Sequence, residues 1–321
     1  MCTKARLQGL LSVPIPTRGH RVSLRPKVLG AFVARRQEDA GSQAFLAAGH
    51  AGTRARKGEE DCVSLPWLYR AWSEVARLLY PPRCEVCGRD WETAFCDDCL
   101  ARVEWITAPY CARCNVPFPE NQTERHLCSE CRRSRSPLLA VRSVGLHART
   151  LREAVLRLKF RNAQLLAPVL ARLLFERVLQ EADEPDSLPF GEVKALVPAV
   201  LHPRRRRWRG FDQAAVITYH LAELWEMPMI QAVTRVKFTR PQIELEPEQR
   251  RRNLAGAFKP VPGVSLDEKT VVVVDDVWTT GATLEACARA CRLAGADRVY
   301  GLTVTRAVPS WHPAAVERLQ I

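Results

Sequence analysis

The sequence has no apolar run that approaches the roughly 18 residues a membrane-spanning helix requires, so it predicts a protein without a membrane span. No secretory signal peptide is apparent, and no acidic residue precedes Glu38. The missing signal peptide argues against a secreted, disulfide-stapled protein, and we expect a cytoplasmic location. In that reducing compartment the 12 cysteines are more typical of metal sites than of disulfides.

The size and charge of the chain leave several function classes open. Its 321 residues, 47% of them hydrophobic, are enough for two or three domains with buried cores. The formal net charge is +13, and a basic excess favours polyanions such as phosphorylated metabolites or nucleic acid. The excess is uneven, because residues 1–61 hold 11 Lys or Arg against 5 Asp or Glu. Composition therefore suggests anionic partners without choosing among them.

The chain divides into four regions by its hydrophobic patterns. Residues 1–61 show no sustained period, which predicts a disordered tail or an over-extended start, with an Arg-rich transit peptide as the alternative. Residues 62–82 contain an amphipathic helix and its lead-in, and residues 83–135 hold the clustered cysteines. Residues 136–321 alternate strand and helix patterns, which predicts a mainly parallel α/β sheet with ligands at the carboxyl ends of its strands.

Within that last region the patterns predict individual elements. Strands are expected over residues 140–146 and 193–200, because both stretches are short and apolar. One long amphipathic helix is expected over residues 150–180, where apolar residues recur at helical spacing. Residues 234–260 are polar and basic, and we expect them to be irregular.

Eight of the cysteines form four Cys-x-x-Cys pairs within a short segment. A structural zinc site takes four tetrahedral ligands, and two such pairs supply four thiolates. Eight residues separate the first two pairs and 13 separate the last two, so pairing in sequence order gives two compact Cys₄ ribbons. A redox role is the weaker interpretation. The predicted ligands of two structural zinc ions are Cys84, Cys87, Cys96 and Cys99 in the first ribbon, and Cys111, Cys114, Cys128 and Cys131 in the second.

A second motif, VVVVDDVWTTGATL, spans residues 271–284. Its four consecutive valines predict a strand buried on both faces, and Asp275 and Asp276 follow at the strand's end. The Thr-Thr-Gly turn then offers hydroxyls and backbone N–H groups at a helix start, where anions bind. Together the acids and the turn suit a ligand that carries both a sugar diol and a phosphate. The alternative without a function is a solvated strand end followed by a simple turn.

Basic residues offer further candidate contacts for an anion. Lys159 and Arg161, in a Lys-Phe-Arg stretch, fit a helix surface and a ligand role equally well. The run HPRRRRWRGFDQ leaves three interpretations open: a grip on pyrophosphate, contact with a nucleic-acid backbone beside a stacking Trp208, or a solvated loop. The arginines concerned are Arg204, Arg205, Arg206, Arg207 and Arg209.

Several stretches together resemble the ComF/GntX family of competence and DNA-utilisation proteins, one branch of the type I phosphoribosyltransferases. The motif at residues 271–284 is similar to their phosphoribosyl pyrophosphate (PRPP) loop, and LLYPPRCEVCGR is similar to the start of their zinc ribbon. VPAVLHPRRRRWRGFDQA resembles their Val-Pro, basic, Arg-Gly-Phe-Asn-Gln segment, with Asp212 in place of the usual Asn. TRVKFTRPQIELEPEQRRRNLAGAF keeps the residue order of a further family segment. The resemblance covers residues 78–307.

The resemblance implies a type I phosphoribosyltransferase-like α/β fold behind an N-terminal double zinc ribbon, with a PRPP-like ligand and Mg²⁺. Asp275 and Asp276 resemble the pair that contacts the ribose diol. Residues 197–207 would form the pyrophosphate-binding loop, and residues 234–258 resemble a mobile loop that closes over the sugar. Trp278 is a bulky residue at a position that the family leaves variable. The implied phosphate cradle is Thr279, Thr280, Gly281, Ala282 and Thr283.

The resemblance also implies a role in handling imported single-stranded DNA, with that DNA and other DNA-uptake proteins as partners. Whether the protein is an enzyme stays open, because no acceptor-base pocket can be read from the sequence; the reaction implied is a pentosyl transfer that displaces pyrophosphate. The rival hypothesis is a non-catalytic module on the same fold that senses a nucleotide or binds single-stranded DNA. A thiol oxidoreductase is disfavoured by the regular spacing of the eight paired cysteines.

Overall fold

The structure, a computed structural model, describes residues 82–118, 126–182, 184, 187–238, 249, 254 and 256–308. The expectations for residues 1–61 lie outside that part of the chain, and so does the amphipathic helix expected before residue 82. The boundary between a ribbon region and an α/β region near residue 135 stays a prediction.

The described elements begin with a cysteine-rich part and continue as an α/β part. The cysteine-rich part contains the short helices α1 (Asp97–Ala101) and α2 (Ser129–Arg133). The strands are β1 (Val141–Leu146), β2 (Val193–Pro198), β3 (Val233–Arg235), β4 (Phe258–Pro260), β5 (Thr270–Trp278) and β6 (Arg298–Arg306). The remaining helices are α3 (Arg149–Arg161), α4 (Leu166–Gln180), α5 (Pro203–Arg209), α6 (Gln213–Trp225) and α7 (Ala282–Leu293).

Four strands form a sheet in the order β1-β6-β5-β2, and all neighbouring pairs in it are parallel. β5 therefore lies inside the sheet, and its valines are buried on both faces. Val271 and Val273 pack in the core that contains α7, whereas Val272 and Val274 pack in the core of α3, α4 and α6. The predicted fold class, a mainly parallel α/β sheet behind a double zinc ribbon, is confirmed.

The prediction of one long helix over residues 150–180 is wrong, because the chain forms α3 and α4 there. Asn162 ends α3 in the left-handed conformation, with φ of 56°, and its N–H donates to the carbonyl oxygen of Arg157. Asn adopts this conformation more readily than most non-glycine residues, which makes it a frequent helix terminator. Both helices bury apolar faces in the same core, so the apolar period continues across the break and conceals it.

The expectation that residues 234–260 are irregular is wrong at both ends of the segment. β3 and β4 pair antiparallel, with Thr234 opposite Lys259 and Arg235 opposite Phe258. Three-residue strands are too short to produce a readable alternation of apolar and polar residues. Most of the segment between the two strands lies outside the described residues.

The two cysteine-rich segments contribute to different cores, one on each face of the sheet. The buried cysteines of the first segment join the core of α3, α4 and α6, and those of the second join the core of α7. The residues concerned are Cys84, Cys96 and Cys99 in the first core, and Cys111, Cys114 and Cys131 in the second. Both segments are therefore packed parts of the fold.

Candidate ligand site and metal centres

The candidate ligand site lies toward the carboxyl end of β5. The sequence pattern predicted that Asp275 and Asp276 follow the end of the strand. The strand instead extends to Trp278, so both acids lie within it. Asp275 is only 8% exposed, and Asp276 only 4%. This burial does not fit a solvated strand end, because a buried carboxylate is costly unless other groups compensate it.

The two carboxylates have different surroundings. Asp275 Oδ1 accepts a 2.8 Å hydrogen bond from the N–H of Asp276. Burial, reinforced by the charge of Asp276, raises the pKa of Asp275 well above its usual value. Asp276 Oδ1 lies 2.8 Å from Nζ of Lys159, whereas Asp276 Oδ2 is buried with no hydrogen-bond partner among the described residues. One oxygen of the pair is thus able to accept a hydrogen bond from a ligand.

Lys159 reaches the acid pair from the last turn of α3. The sequence left a surface role and a ligand-site role open, because a basic residue in a last helical turn fits both. The structure separates the two cations of the stretch: Lys159 contacts Asp276, and Arg161 is exposed. Lys159 therefore belongs to the site, where its ammonium compensates a buried carboxylate.

Gly281 and Trp278 shape the turn after β5. Gly281, the N-cap of α7, has φ of 81°, and a Cβ atom there would lie 2.4 Å from the Trp278 ring. Only glycine permits this packing and this φ without strain, so the bulky Trp278 packs inward against the turn. Thr280 Oγ1 is buried and has no hydrogen-bond partner among the described residues. Residues 279–283 thus form a strand-to-helix turn at the N-terminus of a 12-residue helix, a setting in which backbone N–H groups bind anions.

The loop that follows β2 runs beside the acid pair. The N–H of Ala199 donates to the carbonyl oxygen of Val274, the residue before the acids, at 2.9 Å. Asp212 fixes the other end of this region: Oδ2 accepts from the N–H of Leu201 at 2.6 Å, and Oδ1 accepts from the N–H of Ala215 at 3.3 Å. Both contacts need acceptors, and an amide has only one acceptor oxygen. A carboxylate therefore suits this position, where the family usually has Asn.

The arginine run forms α5, in which Trp208 stands among five arginines. The guanidinium carbons of Arg204 and Arg205 lie 6.0 and 5.8 Å from the centre of the Phe238 ring. Trp208 is 77% exposed. We call Arg204, Arg205, Trp208 and Phe238 the α5 face. Exposed aromatic rings beside arginines match the composition of surfaces on which nucleic-acid bases stack.

Arg209 is the arginine of this run that the acid pair influences. Burial lowers the pKa of Arg209, and the charge of Asp276 opposes that effect. One terminal nitrogen donates to Gln213 Oε1 at 2.7 Å, and the guanidinium lies 5.1 Å from the centre of the Phe160 ring. Gln213 and Phe160 therefore hold the Arg209 guanidinium within the electrostatic influence of Asp276.

His147 is a residue near the site that the sequence reasoning missed. Its Nδ1 lies 2.9 Å from Thr305 Oγ1, and that hydroxyl lies 3.4 Å from the carbonyl oxygen of Asp276. Burial, and next the charge of Lys159, lower the pKa of His147 to about 4, so the imidazole is neutral at physiological pH. No sequence signal could have identified it, because β1 lies two strands away from β5 in the sheet.

The eight paired cysteines form two compact sulfur clusters. In each set of four, all Sγ atoms lie within 4.8 Å of one another. The Sγ–Sγ distance is 3.6 Å between Cys87 and Cys96, and 3.8 Å between Cys114 and Cys128. Tetrahedral zinc with Zn–S bonds of about 2.3 Å requires sulfur–sulfur edges of about 3.8 Å. The two sets fit zinc in the predicted sequential pairing, and they are two Cys₄ zinc-binding sites.

Comparisons with known proteins agree with these features. The double zinc ribbon domain model matches residues 75–132. Competence protein F of Haemophilus influenzae is 31% identical over 229 residues, which are 68% of this chain and 96% of that protein. This chain belongs to the ComF/GntX family. The DNA utilization protein YhgH of Salmonella typhi is 33% identical over 69% of this chain and 96% of that protein. The family resemblance seen in the sequence is thus confirmed.

Solved structures with some likeness to this ComF/GntX chain are phosphoribosyl enzymes. The glutamine PRPP amidotransferase of Bacillus subtilis is 19% identical, with 44% of this chain and 26% of that chain covered, at a TM-score of 0.29. The purine phosphoribosyltransferase of Pyrococcus horikoshii is 17% identical, with 45% of this chain and 90% of that chain covered, at a TM-score of 0.26. Among the described helices, none is long and apolar enough to cross a membrane.

Proposed function

We propose that this ComF/GntX protein binds a PRPP-like phosphorylated sugar at the end of β5. The acids would accept hydrogen bonds from the ribose diol, and residues 279–283 would hold the 5′-phosphate. The observation that carries this proposal is a pair of oxygens, Asp276 Oδ2 and Thr280 Oγ1, which are buried without a partner among the described residues. Leaving such a group unsatisfied costs about 1–3 kcal/mol. A sugar hydroxyl that donates to Asp276, and a phosphate oxygen that accepts from Thr280, would remove that cost.

The chain's own groups would divide the work of binding. The ion pair with Lys159 offsets the cost of burying the Asp276 carboxylate, and a carboxylate accepts charge-assisted hydrogen bonds from donors on a ligand. The N–H groups at the start of α7 would hold the phosphate, with the glycine at 281 permitting close approach. The loop after β2 starts beside the acids, and we propose it, with Arg209, as the contact for pyrophosphate.

Turnover would be displacement of pyrophosphate from the anomeric carbon of the sugar by an acceptor nucleophile. The site would orient the sugar for this step, because holding the reacting atoms in line lowers the activation free energy. Mg²⁺ would be held through phosphate oxygens of the ligand and would supply charge to stabilise the leaving pyrophosphate. A nucleotide sensor on the same fold would use the same contacts without an acceptor.

We propose weak, sequence-independent binding of single-stranded DNA as a second function. The α5 face supports it, because an exposed Trp208 and a Phe238 ring beside two arginines can stack bases and neutralise phosphates. The relatives named for competence and for DNA utilization favour the same role, in company with other DNA-uptake proteins. Two Cys₄ sites need reduced thiols, which favours a cytoplasmic location.

A calorimetric ligand screen tests the proposed functions. Zinc-loaded wild-type protein would be titrated with PRPP, free bases and single-stranded DNA, each with and without Mg²⁺. We expect PRPP to bind, and to bind more tightly with Mg²⁺. The absence of PRPP binding under both conditions would overturn the first proposal. Single-stranded DNA should bind more weakly as salt rises, because phosphate contacts release counterions; affinity that is flat with salt would overturn the second proposal.

A further inference from the structure

Arg306, the last residue of β6, connects the second cysteine set to the strand-to-helix turn. It is 4% exposed. Its Nε donates to the carbonyl oxygen of Cys114 at 3.1 Å, and one terminal nitrogen donates to the carbonyl oxygen of Thr279 at 2.8 Å and of Ala307 at 2.9 Å. The other terminal nitrogen lies 3.8 Å from Cys114 Sγ. One planar guanidinium therefore contacts a predicted zinc ligand and the first residue of the turn.

Arg306 also contacts Trp278, whose ring packs against the turn. The guanidinium carbon lies 5.5 Å from the centre of the Trp278 ring. That ring fills the space above Gly281, where a Cβ atom would come within 2.4 Å of it. Arg306 thus holds the turn at the Thr279 carbonyl and at the side chain that packs on Gly281.

A buried guanidinium needs negative charge nearby, and a Cys₄ zinc site can supply it. Four thiolates around one divalent ion carry a net charge of about −2. Groups that donate to the sulfurs or the backbone of zinc ligands fix the orientation of those ligands. Arg306 is in such a position toward Cys114, so the charge of the metal centre and the placement of Arg306 depend on each other.

We propose that Arg306 is a positioning residue that couples the second metal centre to the ligand turn. Metal bound by the second set keeps Arg306 in place, and Arg306 keeps residues 279–281 in the shape that receives a phosphate. The effect on ligand affinity rests on the proposed PRPP function; the effect on the turn does not. The first set has a less direct route: the carbonyl oxygen of Glu85 accepts from Arg157 on α3 at 2.8 Å, and α3 is held by its own buried face.

A double-mutant cycle separates this coupling from general damage. Cys128→Ala and Cys87→Ala remove one ligand from the second and the first set, and each replaces the least buried ligand of its set. Both would be made in wild-type and Arg306→Met backgrounds and titrated with PRPP and Mg²⁺. In the wild-type background we expect Cys128→Ala to weaken affinity about tenfold and Cys87→Ala to change it by less than about twofold. In the Arg306→Met background, Cys128→Ala should add less than about twofold.

Either of two results would overturn the coupling. One is an equal effect of Cys128→Ala and Cys87→Ala on affinity, and the other is an undiminished effect of Cys128→Ala in the Arg306→Met background. If Arg306→Met does not fold, Arg306→Lys takes its place, because lysine keeps the charge but not the planar fork that joins the two carbonyls. We expect Arg306→Lys to retain the fold and to lose affinity about as much as Cys128→Ala.

Hydrogen exchange gives a readout that needs no ligand. Exchange of the amides of residues 279–283 should become faster in Cys128→Ala and in Arg306→Lys, and should stay at the wild-type rate in Cys87→Ala. Unchanged exchange in Arg306→Lys would overturn the positioning role even if PRPP binds. Failure of wild-type protein to bind PRPP would instead overturn the proposed function, and the exchange result would still decide the role of Arg306.

Discussion

The two zinc ribbons have the same four-cysteine chemistry but occupy opposite faces of the sheet. The first joins the core of α3, α4 and α6, and the second joins the core of α7. Their connections to the sheet also differ. Arg113 and Asn115 of the second ribbon accept hydrogen bonds from backbone N–H groups of β1, at 2.7 and 2.8 Å. The first ribbon contacts a side chain of α3, Arg157.

This difference shows that identical metal sites can have unequal structural roles. β1 is an edge strand of the sheet, and its unpaired N–H groups would otherwise face solvent or another chain. The second ribbon covers the first half of that edge, at Val141 and Ser143, and residues 104–106 between the two ribbons pair with the second half. The second ribbon also continues through Arg306 to the ligand turn. The first ribbon covers a helix that is already buried by its own core. We therefore expect the second ribbon to matter more for stability and for ligand binding.

The largest expected difference is between Cys111→Ala and Cys84→Ala, two ligands that are 0% and 1% exposed. Wild-type protein should contain two zinc ions per chain, and each variant should contain one. Loss of a metal is among the few changes that cost more than about 4 kcal/mol, and we expect a loss of that size for Cys111→Ala. Cys84→Ala should unfold the first ribbon and leave PRPP affinity largely intact. Elemental analysis, urea unfolding and titration measure these outcomes.

Zinc-free wild-type protein, purified without chelator, would contradict the metal assignment itself. Equal destabilisation by Cys111→Ala and Cys84→Ala would contradict the unequal roles of the two ribbons.

A smaller difference is expected at the junctions between each ribbon and the body. Asn115→Ala removes the acceptor for Ser143 and places Ala at a φ of 58°, which together should cost about 2–3 kcal/mol. Arg157→Met removes the contact with Glu85 and should cost less than about 1.5 kcal/mol. Urea unfolding of both variants gives the comparison, and a larger loss for Arg157→Met would reverse the ranking of the ribbons.

If single-stranded DNA binds to the α5 face, its affinity should not change when either ribbon is altered. Trp208→Ala should weaken binding of single-stranded DNA about tenfold, since stacking of one base is worth roughly 1–3 kcal/mol. Leu293→Ala is a matched control, because Leu293 on α7 is also 77% exposed. Fluorescence anisotropy at low salt measures both variants and Cys87→Ala. Equal losses in Trp208→Ala and Leu293→Ala, or a loss confined to Cys87→Ala, would move the DNA site away from α5.

The smallest expected effect is a gain in stability, unlike the losses expected for the ribbon variants. We expect the buried acid pair to lower the free energy of unfolding, whereas the ribbons raise it. The pKa of Asp275 is raised in the folded protein by burial, so its contribution is most favourable at low pH and is lost as pH rises toward the folded-state pKa. Asp275→Asn should therefore raise stability at neutral pH, and the gain should shrink to nothing below the ordinary aspartate pKa of about 3.9. Urea unfolding between acid and neutral pH measures the gain. A variant less stable than wild type at neutral pH would contradict the sign.

Local patterns were sufficient for the parts of this fold in which neighbours in sequence act together. Cys-x-x-Cys spacing predicted both sulfur clusters, and four consecutive valines predicted a strand buried on both faces. The helix break at Asn162 was missed because the apolar period on both sides of it serves one core. The pattern also ended β5 too early, because the strand keeps its pairing with β6 beyond the acids, to Trp278.

The contacts that complete the candidate site could not be predicted, because they join residues far apart in sequence. Lys159 meets Asp276 only after α3 packs on the sheet, and Arg306 meets Cys114 across 192 positions. Neither residue has a neighbour in sequence that signals its partner. The same separation explains why His147 gave no signal.

The central claim is that the acid pair at the end of β5 binds the sugar of a PRPP-like ligand. The most direct measurement is a calorimetric titration of PRPP with Mg²⁺ into zinc-loaded wild-type protein and into the Asp275→Asn, Asp276→Asn double variant. Charge-assisted hydrogen bonds are worth about 1.5–3 kcal/mol each, so affinity should fall at least about tenfold. Asp275→Asn alone should not lower stability at neutral pH, and urea unfolding of the double variant identifies any loss caused by unfolding. Equal affinity in the two proteins, or no binding by the wild type, would contradict the claim.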